Sequence, residues 1–299
     1  MVKSVDEYLA LLKKELAGSD PAVIQDALAD AEEHLRMALA QAGSGNASAP
    51  QAEVFSAIAE KYGSPQEIAA AYRQMEARLP AGLGRTMHAS HRSLPHRFFG
   101  VVADPRAWGA LLFLFLSLVT GIIYFWWTVF GLSISVATLV LVIGLPLLVL
   151  FLLSIRGIAF VEGRLVEALL GVRMPRRRMF FDDTTGFWRK IKELFTQRIT
   201  WTALLYCILK LGLGIAYAFV FGFLFGLSIY LIALPITVWA FQMPAYVVLG
   251  DTEYLATDWS IPLFFILGVL LLPATMHLVR LVGRGHGALA KAMLVSKHD

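Results

Sequence analysis

Apolar and polar positions follow two different rhythms along this chain. In the first 80 residues the apolar positions recur every three or four residues. Val5, Tyr8, Leu9, Leu12 and Leu16 form one stripe, and Ile24, Leu28, Ala31, Leu35 and Ala38 a second. Val54, Ile58 and Tyr62 make a short third, and Ile68, Tyr72 and Met75 a fourth. This period belongs to helices with one buried face, so the segment predicts a small helical domain. The polar residues between the stripes punctuate it. Asp20-Pro21 supplies an N-cap side chain and then a proline whose φ already suits a first turn. Gln41 to Pro50, mostly Gly, Ser, Ala and Asn, predicts a loop, and Gly63 ends the third helix. Ser64 and Glu67 are spaced as a capping box.

Beyond residue 100 the stripes give way to continuous apolar runs. Ala107 to Ile155 has no charged side chain, nor has Leu211 to Gly250, and Ile261 to Val279 is interrupted only by His277. Each run is long enough for one or two membrane helices of about 20 residues. A first span is predicted over Ala107–Val129, with Tyr124, Trp126 and Trp127 toward the far interface. A second covers Ile134–Ile155 and is kinked at Gly144-Leu145-Pro146. Arg156 to Leu170 then predicts a separate amphipathic helix on the cytoplasmic surface. A third span runs from Thr200 to Phe225, and a last from Ile261 to Val282. The apolar stretch Leu227–Leu249 would add a fifth on hydropathy alone.

Within these runs the chain is written twice. Gly121-Ile-Ile-Tyr124 is echoed by Gly214-Ile-Ala-Tyr217, and Gly131-Leu-Ser-Ile134 returns letter for letter as Gly226-Leu-Ser-Ile229. Gly163 to Leu170 is answered by Gly287 to Leu294. A duplicated pair of spans predicts two parallel repeats and four spans rather than five, with an insertion of about 29 residues in the second copy. Charge agrees: five spans would put Asp251, Glu253 and Asp258 inside and Arg280, Arg284, Lys291 and Lys297 outside, against the positive-inside bias. The expected fold is all-α. A cytoplasmic helical domain (1–80) and a basic juxtamembrane linker (81–106) precede repeat 1 (107–171). A basic cytoplasmic loop (172–198) leads to repeat 2 (199–295), which carries the insertion at about 230–259 on the outer face.

Composition strengthens the membrane reading, with 58% hydrophobic and 16% charged residues and a mean hydropathy of +0.65. Soluble domains sit nearer one quarter charged. Cys207 is the only cysteine, so no intrachain disulfide forms, and it reads as a small packing residue. The start of the chain lacks the pattern of a signal peptide, which keeps the N-terminal domain in the cytoplasm. Residues 1–80 carry a net charge of −5 and residues 156–198 a net +5. The basic segment, with Arg173, Arg176, Arg177 and Arg178, fits contact with anionic lipid. No aromatic-basic stripe accompanies it, so no direct nucleic-acid partner is expected.

The first 80 residues resemble the HAAS signalling domain of bacterial membrane proteins. The features are Val5-Asp6-Glu7-Tyr8-Leu9 with Leu12 and Leu16, the acidic Glu32-Glu33 before Leu35, and Tyr62-Gly63-Ser64-Pro65 leading to Ile68 and Tyr72. Residues 100–295 resemble a bacterial sensor-type membrane family, through the doubled layout and the motif Arg156, Ala159, Glu162, Leu165 and Leu169-Leu170 that ends the first copy. The second copy departs from it, with His286 where the first has Glu162. The resemblance implies signalling at the bacterial inner membrane. HAAS proteins often act beside PadR-like transcription regulators, and sensor-type regions are often fused to histidine kinases, so a PadR-like factor or a kinase is the implied cytoplasmic partner.

The candidate chemistry is sparse. Lys210 lies well inside a span, where an ionisable group is costly and is either functional, snorkelling, or paired with the amphipathic helix. His277 near the end of the last span fits a hydrogen-bonded packing role better than a pH switch. Gly212, Gly214, Gly222 and Gly226 line the third helix at a spacing that allows close packing within the repeat or in a homodimer. His88, His91 and His96 lack the spacing and companions of a metal site. Asp182-Asp183 beside the arginines could suggest a Mg²⁺-diphosphate site but fits a charged loop better. With no catalytic constellation and no cofactor motif, the expected function is a membrane sensor, not an enzyme, relaying envelope, lipid or small-amphiphile state through the N-terminal domain. A transporter or lipid-handling protein is the first alternative, and an inner-face membrane enzyme the second.

Overall fold

The computed structural model describes residues 4–43, 51–78, 94–140, 144–175, 187–242, 246–249, 252–255 and 259–295. The sequence predicts four N-terminal helices, and these are α1 (Val5–Glu15), α2 (Pro21–Gly43), α3 (Gln51–Tyr62) and α4 (Pro65–Arg78). The starts of α2 and α4 are set as expected, and that of α1 by a cap the sequence reading did not name. Ser4 caps α1 by accepting the Glu7 N–H at 3.2 Å, and Asp20 caps α2 by accepting the Ala22 N–H at 2.9 Å. Ser64 and Glu67 form the reciprocal capping box, at 2.9 and 3.3 Å. The apolar stripes meet in one core around Tyr8, Leu12, Leu16, Leu28, Leu35 and Phe55. Tyr8 donates its hydroxyl to the Gly63 carbonyl at 2.7 Å and so ties α1 to the turn between α3 and α4. Burial pushes its phenol up to about 12.

The rest of the described chain is helical except for one hairpin. A short α5 (Leu94–Phe99) precedes α6 (Pro105–Ala137), and α7 covers Gly144–Leu170. A short α8 (Phe187–Thr196) precedes α9 (Arg198–Pro235), and α10 covers Ile261–Leu294. Among the described residues four helices are long and apolar enough to cross a membrane, as the repeat predicts. The stretch once open as a fifth span is no separate helix. α9 runs through Leu227 to Pro235 and ends in one π-helical turn, Ile236–Ala240. A two-stranded antiparallel hairpin follows, β1 (Tyr246–Leu249) with β2 (Thr252–Leu255), inside the segment expected to be an insertion.

Three local expectations are corrected. Gly144-Leu145-Pro146 does not kink a helix but starts one: α7 begins at Gly144, so Pro146 lies in the first turn, where a missing N–H breaks no ladder bond. Residues 134–137 belong to α6, and Arg156–Leu170 is the second half of α7, because no residue between Ser154 and Leu170 interrupts the helix. The basic segment 172–198 contains α8 and is not all loop.

The duplication is visible in burial. Adding 93 to the buried α6 positions Ala107, Ala110, Phe113, Leu114, Ser117, Gly121, Thr128 and Ser135 gives Thr200, Ala203, Tyr206, Cys207, Lys210, Gly214, Phe221 and Ser228, all buried on α9. Adding 124 to the buried α7 positions Gly144, Phe151, Leu152, Ile155, Glu162, Gly163 and Val166 gives seven buried positions on α10. The step from 93 to 124 makes the insertion 31 residues. Even the entry turns match: Trp108 donates its indole N–H to the Val102 carbonyl and Trp201 to the Phe195 carbonyl, both at 2.8 Å.

The sequence predicts parallel repeats, but the helices that meet, α6 and α9, do not run in the same sense. A Cβ on Gly121 would lie 2.9 Å from the Leu211 Cα, and one on Gly214 would lie 2.8 Å from the Leu118 Cα. Each glycine thus abuts the other copy's equivalent segment, the reciprocity of a local two-fold axis. Trp108 near the start of α6 meets Phe225 near the end of α9, with ring centroids 6.0 Å apart, so α6 and α9 pack antiparallel. After Leu170 the chain turns at Gly171 (φ 68°) and runs back along α7, where Arg164 donates to the Met174 and Pro175 carbonyls.

Candidate functional site

The site is built where the two copies meet. Gly121 and Gly214 lack the Cβ that would hold α6 and α9 apart, so the side chains one turn away converge. Lys210, on α9, forms an ion pair with the Glu162 carboxylate of α7. Both side chains are fully enclosed, at 1% and 0% exposure. Three rings surround the ammonium: the centroids of Phe113 and Tyr124 lie 5.2 Å away and that of Tyr206 5.8 Å away. An ammonium facing aromatic faces and one carboxylate is the arrangement that makes an enclosed cation tolerable.

A chain of hydrogen bonds extends from the ion pair across the local axis. Tyr124 donates to Glu162 Oε2 at 3.3 Å, and Tyr206 donates to Glu162 Oε1 at 2.8 Å. The Tyr206 oxygen also lies 2.9 Å from His286 Nε2, and Tyr217 lies 3.1 Å from His286 Nδ1. Proton counting assigns the roles. The Tyr206 proton goes to the carboxylate, so its oxygen accepts from Nε2–H, and Nδ1 then accepts the Tyr217 hydroxyl. For a neutral His286 this is the Nε2–H tautomer, and each of these hydroxyls, ring nitrogens and carboxylate oxygens has a partner. Phe113 packs against the His286 ring with centroids 4.9 Å apart.

The repeat explains which residues meet. Tyr124 and Tyr217 are equivalent, and each bonds the equivalent position of its own copy's second helix, Glu162 and His286. Phe113 is equivalent to Tyr206, and Ser117 to Lys210. One copy therefore supplies the acid and the other supplies the base, the lysine and the bridging hydroxyl. The cluster can hold charge inside an apolar bundle and link helices of both copies through one network. Among the described residues no group of three or more His, Cys, Asp or Glu could hold a metal ion.

Of the residues singled out in the sequence, Lys210, Tyr124 and Tyr217 lie in the cluster, and Gly121 and Gly214 shape it. Lys210 is paired with the second half of α7 rather than snorkelling. His277 is elsewhere, exposed, stacked on Phe98 and 3.2 Å from the Phe98 carbonyl. Of the lined glycines only Gly214 makes a close backbone contact. Gly212 and Gly226 have nothing within 4 Å of a Cβ, and Gly222 meets only the Phe115 ring. Arg173 is half-buried in the turn after α7. Arg176, Arg177, Arg178, Asp182, Asp183, His88 and His91 lie outside the described residues, and His96 is exposed. The sequence did not mark Glu162, Tyr206, His286 or Phe113 as members. The signal was the mismatch of Glu162 with His286 at one repeat position beside a lysine in a span.

Comparison with known proteins found no match among curated proteins and none among solved structures. Two family models match. One, HAAS, covers residues 7–71. The other, described as "Putative sensor", covers residues 113–294 and takes in most of α6, the other three long helices and the whole buried cluster. This multi-pass membrane protein, with a HAAS region at its N-terminal end, therefore belongs to the Sensor family.

Proposed function

We propose that the protein is a membrane signalling sensor in which a change at the buried cluster is relayed to a cytoplasmic regulator through the N-terminal domain. The observation that carries this reading is the Glu162–Lys210 pair with its tyrosine–histidine chain, which joins α6, α7, α9 and α10 at one point. An enclosed ion pair is weak evidence for stability, because apolar residues of the same volume do as well, whereas a network with two arrangements can serve as a switch. The stimulus is an envelope change, a lipid or a small amphiphile entering between the copies. The partner is a PadR-like transcription regulator or a kinase; the HAAS match supports a signalling partner. The test is output of the associated regulator in cells carrying the full chain, Glu162→Gln, Lys210→Met or a deletion of residues 1–80. Altered output in the point variants and lost output in the deletion are expected. Unchanged signalling in the deletion sinks the reading.

The expected site is the inner membrane of a bacterium; both ends cytoplasmic would require α6 and α9 to cross it in the same sense, which their antiparallel packing opposes. Lys291, near the end of α10, forms an ion pair with Asp20, which places the N-terminal domain beside that end of α10. Single cysteines at 4, 253 and 297 in a Cys207→Ser background check the orientation. With position 4 spared, labelling of 253 and not 297 by an impermeant maleimide on spheroplasts supports the alternating four-span orientation, whereas labelling of 297 and not 253 supports the antiparallel packing. A second reading, transport or lipid handling, is favoured by the two-fold meeting of repeats at a polar site. Flux or lipid scrambling in vesicles that changes with Lys210→Met would select it.

A further inference from the structure

The offsets of 93 and 124 that relate the copies also pair two arginines. They carry Asp104, the cap residue of α6, onto Gln197 at the start of α9, and Arg156 of α7 onto Arg280 of α10. Both arginines reach across to the other copy. Arg280 forms an ion pair with Asp104 Oδ2 at 3.2 Å, while Asp104 Oδ1 still caps α6 by accepting the Arg106 N–H at 3.0 Å. Arg156 donates to the Gln197 side-chain carbonyl at 2.7 Å and to the Thr200 hydroxyl at 2.8 and 3.1 Å. The same contact is thus made twice, once in each direction about the local axis. Because α6 and α9 are antiparallel, the two contacts lie at opposite ends of that pair, with the cluster between them. Each arginine stands six residues before a cluster residue on its own unbroken helix, Arg156 before Glu162 and Arg280 before His286. Neither contact is sealed in. Arg280 and Asp104 are 26% and 25% exposed, Arg156 is half-buried and Gln197 is exposed. A partly solvated guanidinium contact contributes little and reopens readily, whereas the Glu162 and Lys210 side chains that lie between the two are fully enclosed.

We propose that these two contacts are gates on one enclosed site. Release of Arg156 lets α7 part from the start of α9 and opens the cluster at that end, and release of Arg280 lets α10 part from the start of α6 and opens it at the other. The inference rests on the sensor reading above, since a gate is the route by which a stimulus reaches the cluster, but its test reads access and not output. Two buried positions report the two ends. Cys207, the native cysteine, lies on α9 between Gln197 and Lys210, and its counterpart Leu114 lies on α6 ten residues from Asp104, as Cys207 does from Gln197. The full-length chain in nanodiscs is labelled with N-ethylmaleimide, either through Cys207 or through Leu114→Cys in a Cys207→Ser background. Arg156→Ala should speed labelling of Cys207 on the order of five-fold and leave the Leu114→Cys thiol protected, and Arg280→Ala should do the converse. Asp104→Asn should repeat the Arg280→Ala result with the α6 cap kept, because asparagine caps as well as aspartate and carries no charge. Where Arg156→Ala does not fold, Gln197→Ala on the exposed side of the same contact takes its place. Cys207 labelling unchanged in the folded variant overturns the first gate, and Leu114→Cys labelling unchanged by both Arg280→Ala and Asp104→Asn overturns the second. Equal exposure of both reporters by one variant means that the whole bundle has loosened, and it overturns the gating. One-sided labelling beside signalling that survives deletion of residues 1–80 leaves the gates standing and removes the sensor reading.

Discussion

At the scale of single residues, the ion pair gives the sharpest expectation. Lys210→Met leaves the Glu162 carboxylate enclosed with no cation, which should cost about 3–5 kcal/mol. Adding Glu162→Gln should recover most of that loss, and thermal unfolding of the detergent-solubilised protein reads both. A double variant as unstable as Lys210→Met alone would mean the lysine acts through something other than its partner. Tyr8 offers a second test. Burial pushes its folded phenol up to about 12 from an ordinary 10, so its contribution is complete below pH 10 and is lost as pH rises from there. Full-length Tyr8→Phe should lose about 1 kcal/mol near neutrality, through the unmet Gly63 carbonyl, and should show a shallower decline between pH 10 and 12. Lys210 was legible as an anomaly because a charge in a span is conspicuous. Its partner was not, because Glu162 lies 48 positions away in a stretch where carboxylates suit an amphipathic surface.

At the scale of elements, register matters more than letters. The tetrapeptide shared by residues 131–134 and 226–229 is out of step by two with the burial pattern. A Cβ on Gly131 would strike the Phe151 ring, whereas one on Gly226 would meet nothing. The true counterparts are Ser135 and Ser228, both buried, which donate to the carbonyl four residues back at 2.6 and 2.7 Å. Identity had misled, and periodic burial corrects it. The glycines separate in the same way. Gly214→Leu places side-chain carbon 2.5 Å from the Ser117 carbonyl and should destabilise the α6–α9 contact by about 1–3 kcal/mol or prevent folding. Gly212→Ala meets nothing and should leave Tm unchanged or raised, since alanine is the better helix former. Equal damage from both in a detergent melting assay would remove the close crossing from the account.

For the whole molecule, the four-helix N-terminal region, the four long apolar helices and the membrane setting were all readable, because 3.6-residue stripes and uncharged runs are local signals. The direction in which the second copy packs was not. Both copies have the same internal order, and a sequence repeat says nothing of whether its units lie parallel or are turned about a two-fold axis. The small residues at Gly121 and Gly214 serve either arrangement, and only contacts such as Trp108 with Phe225 choose between them. A thiol pair at Trp108→Cys and Phe225→Cys in a Cys207→Ser chain tests that choice. Ready cross-linking is expected for antiparallel helices, and none if α6 and α9 ran in the same sense.

The sequence by itself determined where the N-terminal helices lie, which segments need an apolar surrounding and that the membrane unit is duplicated, since capping, periodicity and charge act within a few residues. The tertiary structure alone decided that an acid from one copy and a lysine and histidine from the other share one enclosed network, and that the end of α10 reaches Asp20. Those pairings join residues far apart in the chain. They are selected by the packing that two missing Cβ atoms allow and by the free-energy penalty on any enclosed charge left without its partner.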